Sequence, residues 1–362
     1  MEQVLQDDHL CYVLLNFAGE REEPFTRCLS KHWRRLRRRW IARLPSNVPF
    51  QTAAFSPDGA IIAAGGGTIY NYGPFAMYDV RSGAKRCEIV RPKEIVSVGF
   101  LNDGGTVAVA SHENVLPLYD TRTGALLREV EGVALPHCWL TAFDVSRDGA
   151  MIAVGGGEMS PTGGDETVCI YDAATFERRQ AIAYDCPNSV AFSPDCATIA
   201  VGGYAKKVSI FDVATGALVC EHDRGGIVRA LAFSHDGQVL AVGGDDYDTD
   251  DESDDDGPVV ARPVQPLTLY KEAGRVRGPD IDCGFLVNCL AFAPNNTVLA
   301  VGGASDTYVL YDADTLEVRR TLRSDNIVGR TIAFSPDSTK IAVGRNKLAL
   351  YDTETGDPVR VP

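Results

Sequence analysis

The chain has 362 residues, of which 45% are hydrophobic and 23% charged, enough apolar material to bury a large core. Its formal net charge of −14 argues against general nucleic-acid binding, which needs an electropositive surface to displace counterions from phosphates. No apolar run reaches the roughly 18–20 residues that span a bilayer.

The opening MEQVLQDDHL lacks the basic-then-apolar pattern of a secretory leader. Ten cysteines are scattered, with no Cys-x-x-Cys pair and no His/Cys spacing of a zinc site. Cys169, Cys220 and Cys289 sit in apolar, strand-like runs and read as buried free thiols. The expectation is a cytosolic or nuclear chain with no metal and no cofactor.

In chain order, residues 5–17 (LQDDHLCYVLLNF) form the first helical pattern. Asp7 or Asp8 caps its start, and Leu10, Val13, Leu14 and Phe17 share one face. AGEREEP is a loop. The next pattern places Leu29, Trp33, Leu36, Trp40 and Leu44 on one apolar stripe, with arginines on the other side, and Pro45 ends it. The basic run KHWRRLRRRW then reads as the solvated side of that helix. The alternatives are a helix lying on anionic lipid and a nuclear address.

From residue 50 one unit recurs seven times. Its first half is typified by TAAFSPDGAIIAAGGG and SVAFSPDCATIAVGG, with phenylalanines at 55, 100, 143, 192, 233, 292 and 334. Its second half is typified by VSIFDVATGA and YVLYDADTLE. The residues before each Phe make a short strand, and SPDG makes a turn. IAVGG is apolar throughout and reads as a strand buried on both faces. VxIYD is a third strand, and the xTG turn leads to a more polar, outer fourth. Four strands per unit is one blade of a β-propeller, and seven units close a ring. PVRVP at the C-terminus sits where the last blade needs its fourth strand, so that blade is expected to be completed from its own end.

The fold class expected is therefore an all-β, seven-bladed propeller of four-stranded antiparallel blades over 46–362, preceded by a small helical unit over 1–45. The repeats resemble the WD-repeat family across roughly residues 50–362. The Trp-Asp signature appears as Tyr-Asp or Phe-Asp in six blades and as Tyr270-Lys271 in the fifth. The family's Gly-His pair is absent, and its acid between second and third strands survives at Asp306 and Asp165. The resemblance therefore implies blades held mainly by apolar packing.

The leading segment resembles an F-box. Leu5, Asp8, Leu10, Val13, Leu14 and Phe17 fall on that family's opening positions, and Leu29-Ser-Lys-His-Trp33-Arg-Arg-Leu36 matches its closing Trp-x-x-Leu. It departs in having Gln6 for a proline, Asp8 for Glu and a loop one residue longer. The two resemblances together imply the substrate receptor of a cullin-RING (SCF-type) ubiquitin ligase. Leu10, Val13, Leu14, Leu29 and Trp33 would dock on the ligase adaptor, and the propeller would hold a target protein or peptide, phosphorylated or not. The alternative is a WD-repeat scaffold with no ubiquitin role.

The residue four before each Phe marks the channel mouth: Gln51, Val96, Trp139, Asn188, Arg229, Asn288 and Arg330. Family resemblance assigns arginines there to phosphate. Arg229 and Arg330 match, with Lys206, Lys207 and Arg345 in nearby loops, and the competing reading is plain surface charge. Trp139 is either a contact anchor or a packed residue.

The fifth unit carries DDYDTDDESDDDG at 245–257, nine acids in thirteen residues, expected to be disordered by self-repulsion. Thr249 and Ser253, each followed by acids, are phosphorylation candidates. Six histidines are spread singly, and no GxSxG or phosphate loop precedes a helix, so catalysis is not expected.

Overall fold

The second strand of each unit is apolar on both sides, and the structure shows where the two sides go. The computed structural model describes residues 50–67, 73–101, 104–113, 115–133, 139–157, 167–245, 267–323, 329–344 and 348–359, and of Trp139 and Gly157 the backbone only. The helical unit expected at 1–45, with Leu10, Val13, Leu14, Leu29 and Trp33, lies outside those residues. So do Asp165, Thr249, Ser253, Arg345 and the acidic run after Asp245.

Seven antiparallel sheets follow one another, each with its strands in chain order from the inside outward. Blade one comprises Phe50–Phe55, Ile61–Gly66, Gly73–Asp79 and Lys85–Arg91. The other inner strands are Ile95–Leu101, Trp139–Val145, Pro187–Phe192, Val228–Phe233, Val287–Phe292 and Thr331–Phe334. Each inner strand lies beside the next, and the last lies beside the first, so the sheets close a ring. Six blades have four strands. The seventh has three, and Pro358 bridges to Tyr351 while Val359 N donates to Leu350 O at 2.9 Å. The fourth position of the last blade is thus taken by its own C-terminal end.

The apolar core lies between blades. Side chains alternate across a strand, so Ile61, Ala63, Phe75 and Met77 pack with Ile95, Phe100 and Tyr119 of blade two. Their neighbours Ile62, Ala64, Ala76 and Tyr78 pack with Ala342, Leu348 and Leu350 of blade seven. The same division holds at the other five seams. Each fully buried Leu, Ile, Val or Phe contributes about 1.5–3 kcal/mol.

The repeated glycine pair belongs to this packing. A Cβ on Gly65 would come within 2.5 Å of Ile95 Cγ2, and one on Gly243 within 2.3 Å of Val287 Cγ1. The glycine is a seat for the first inner residue of the next blade.

The SPDG turn works both within and between blades. In blade four Ser193 Oγ donates to Asp195 Oδ1 (2.5 Å) and accepts from Thr198 N (2.9 Å), while Asp195 accepts from Ala197 N (3.0 Å). The Ser193 hydroxyl and these turn bonds hold the Asp195 carboxyl below the ordinary range. The same clasp recurs at Ser56, Ser146, Ser234 and Ser335. Gly104, at φ +83°, leans on Pro57 of the preceding blade, where a Cβ would meet Pro57 Cδ at 2.7 Å.

The acid of Tyr-Asp sits at the surface and secures the outer hairpin. Asp172 accepts from the Thr175 and Ala174 amides at 2.9 Å each and pairs with Arg179. Asp79 and Asp312 repeat this with Arg86 and Arg319. Blade five, with Lys271 in that place, turns instead through Glu272, Ala273 and Gly274, all at positive φ.

Ser193→Ala removes an acceptor from the half-buried Thr198 amide and a donor from Asp195. We expect a loss of about 1–3 kcal/mol, read as a lower urea midpoint with unchanged slope; an unchanged midpoint contradicts the clasp.

Candidate protein-interaction face

The ring has one face where inner strands begin and second strands end, called upper here. In six blades the ladder between these two strands slips by one residue at the same place, between Phe50 and Thr52, Ile95 and Ser97, Leu140 and Ala142, Pro187 and Ser189, Val228 and Ala230, and Val287 and Cys289. The extra residue is Gln51, Val96, Thr141, Asn188, Arg229 or Asn288. A bulge re-aims its side chain out of the ladder. In blade seven Arg330 holds this place, its amide donating to Gly344 O at 3.2 Å.

This register corrects one assignment. Val145, not Phe143, pairs with Ile152 as Phe55 pairs with Ile62. The mouth residue of blade three is therefore Thr141, two places after Trp139. The sequence AFDVSRDG carries two extra residues between the aromatic and the serine, and counting back from Ser146 finds the right position.

Most of these side chains grip the next blade. Gln51 Nε2 donates to Glu94, and Thr141 Oγ1 donates to Pro187 O. Asn188 Nδ2 donates to Val228 O at 3.3 Å. Arg330 Nη1 donates to Gln51 Oε1 at 2.8 Å, across the seam that closes the ring. Val96 and Asn288 are half-buried.

Arg229 is held differently. Its Nε and Nη2 both reach Oδ2 of Asp245, at 2.9 and 2.7 Å. Asp245, first of the thirteen-residue acidic run, is 4% exposed and belongs to the blade, contrary to the expectation that the run is solvated from its start. Lys207 pairs with Glu221 at 2.8 Å. Lys206 stands at φ +59°, and its carbonyl accepts from Arg224 N. An incoming anion would therefore compete with Asp245 for Arg229. The sequence count found six of the seven mouth positions but not the bulge that makes them one.

A closed seven-bladed β-propeller is the frame of a protein-interaction scaffold. The family model for the WD domain, G-beta repeat, matches residues 182–212, 217–248 and 277–312. Each match begins on or near the outer strand of one blade and runs into the inner strands of the next, so the sequence repeat is staggered by one strand against the structural blade. Those three stretches carry WD40 repeats.

One channel-side residue breaks the repeat. Ala54, Gly99, Ala191, Ala232, Ala291 and Ala333 share a rung that in blade three is Asp144. Its carboxylate accepts from Phe192 N of blade four (2.8 Å) and from Val145 N (2.9 Å). Burial pushes its pKa up to about 7 despite both bonds. The folded state then binds this proton more tightly than the unfolded chain. The favourable contribution is present below the ordinary carboxylate pKa, about 4, and is lost as pH rises through 7. Between pH 4 and pH 8 we expect Asp144→Ala to gain about 1–3 kcal/mol relative to the parent chain. Denaturant unfolding at the two pH values checks this; an equal difference at both contradicts it.

Proposed function

We propose that the propeller holds a partner protein on its upper face while the leading segment ties the ring to a cullin-RING ligase adaptor, making the chain a substrate receptor. The observation that carries the docking face is the bulge shared by six blades, which sets Gln51, Thr141, Asn188, Arg229 and Asn288 at one mouth on a closed frame, with Arg330 in the matching place of blade seven. Lys206 and Lys207 flank it in the described structure, and Arg345 is proposed with them from its place in the sequence repeat. The tether is supported by the spacing of Leu10, Val13, Leu14, Leu29 and Trp33. The receptor performs no chemistry. It raises the effective concentration of target lysines near the loaded enzyme.

Phosphate on the target is one mode of recognition, since Arg suits it, but at Arg229 it would have to displace Asp245. Thr249 and Ser253 are the proposed phosphorylation positions of the acidic run, where added charge would strengthen its hold on a basic partner. The proposed setting is the cytosol or nucleus.

The test uses the purified full chain, the double variant Leu14→Asp/Trp33→Asp, and the purified ligase adaptor. We expect the parent chain to co-elute with the adaptor and the double variant to lose it while keeping the ring's melting temperature. A parent chain that fails to bind the adaptor sinks the tether and leaves a scaffold without a ubiquitin role.

A further inference from the structure

Blade five closes its outer hairpin unlike the rest of the ring. In the other six blades an aspartate ends the third strand and accepts from a turn amide at 2.6–2.9 Å, and one turn residue is left-handed. Blade five has Lys271 in that place. Its turn into the outer strand Val276–Ile281 runs through three consecutive left-handed residues, Glu272 (φ +53°), Ala273 (φ +54°) and Gly274 (φ +88°). Glycine adopts that conformation freely, whereas the Cβ of Glu272 and of Ala273 makes it costly. The strand that follows carries Gly278 and Pro279, both of which weaken a ladder.

The turn is fastened to blade four at the Gly274 carbonyl. It accepts from His222 Nε2 at 2.9 Å and from Cys220 Sγ at 3.8 Å, both on the outer strand Leu218–Asp223. A Cβ on Gly274 would come within 2.2 Å of Ile210 Cδ1, so the glycine backbone lies directly against that blade. Tyr270 is fully buried beside it, with its ring centroid 4.7 Å from that of His222. At the same place in blades three and seven, Tyr171 and Tyr351 donate to a carbonyl of the preceding blade at 3.1 and 3.0 Å. Among the described residues Tyr270 Oη has no hydrogen-bond partner, and a buried hydroxyl in that state is costly.

We propose that residues 272–281 form a strap that lifts locally from the ring, releasing Gly274 from His222 and Ile210 and letting water reach Tyr270 Oη, while the inner strands stay closed. Closed, the strap gains the two bonds at Gly274 O and its seat on Ile210. Lifted, it relaxes two left-handed side-chain residues and hydrates the Tyr270 hydroxyl. Opposing terms of similar size on one short segment set its opening energy well below that of the seams. Lifting bares Ile210 and Leu240, which otherwise lie buried against Tyr270 in the seam between blades four and five. The strap rests on this chain's own contacts and is independent of the docking face and of the tether.

Amide hydrogen exchange of the full chain tests this, with the outer strands Arg178–Ala183 and Val318–Arg323 and the second strand Val239–Gly244 as references. At matching ladder positions, and after correction for intrinsic rates, we expect Val276–Ile281 to exchange at least about tenfold faster than the two reference outer strands. Val239–Gly244 should stay protected to the level of global unfolding. Ala273→Gly, which takes the Cβ off a left-handed residue, should slow the strap about threefold. His222→Phe, which removes the bond to Gly274 O and keeps a ring against Tyr270, should speed it about threefold or more. A strap that exchanges no faster than the reference outer strands, or whose rate either substitution leaves unchanged, overturns the proposal. The parent chain and Ala273→Gly decide it by themselves if His222→Phe fails to fold.

Discussion

Burial between neighbouring blades is the constraint on which the rest of this structure depends. A single four-stranded sheet leaves two apolar faces open, because its second and third strands are greasy on both sides. Each face is covered by the adjoining blade, and the coverage has no end until the first blade meets the seventh. Phe50, Ile62 and Tyr78 meeting Ala342, Leu348 and Leu350 is that closing contact. The hydrogen-bonding motifs are arranged around the same seams. Gly104 leans back on Pro57, Tyr171 Oη donates back to Val133 O at 3.1 Å, and Gln51 and Asn188 reach forward. What looks in sequence like a motif within a repeat acts largely as a joint between repeats.

That view explains which parts of the fold could be read from residues alone. Strand type and number were legible because IAVGG-like runs have no polar side, and a strand apolar on both faces has to lie between two others. The turns were legible because Ser, Asp and Gly occupy fixed offsets. Register was not. In blade three the aromatic at 143 drew the count two places off, since an aromatic residue fills a seam equally well from either of two rungs on one side of a strand. The bulge was hidden as well, because slipping one residue leaves the apolar pattern of the inner strand intact. Nor could spacing reveal that Asp245 closes on Arg229 rather than joining the acidic loop. Pairing of opposite charges sixteen residues apart depends on which strand ends lie side by side.

The upper mouth follows from the same geometry. Six bulges at one height, with Arg330 in the matching place of blade seven, make seven mouth positions whose side chains vary while the backbone frame recurs. A ring of this kind separates stability from recognition: the seams hold the frame, and the mouth residues can vary. Asp144 is a place where that separation is incomplete. It puts a titratable group on a rung where the other six blades have alanine or glycine. The cost of burial there becomes a dependence on pH.

The central claim is that the described blades form one cooperative ring bound at its seams. Native-state hydrogen exchange of the second-strand amides, from Ile61–Gly66 through Lys340–Gly344, measures it most directly. The account predicts one common opening free energy for all seven strands, equal to that of global unfolding, with outer strands exchanging sooner. Separate and lower opening energies for individual blades would contradict it.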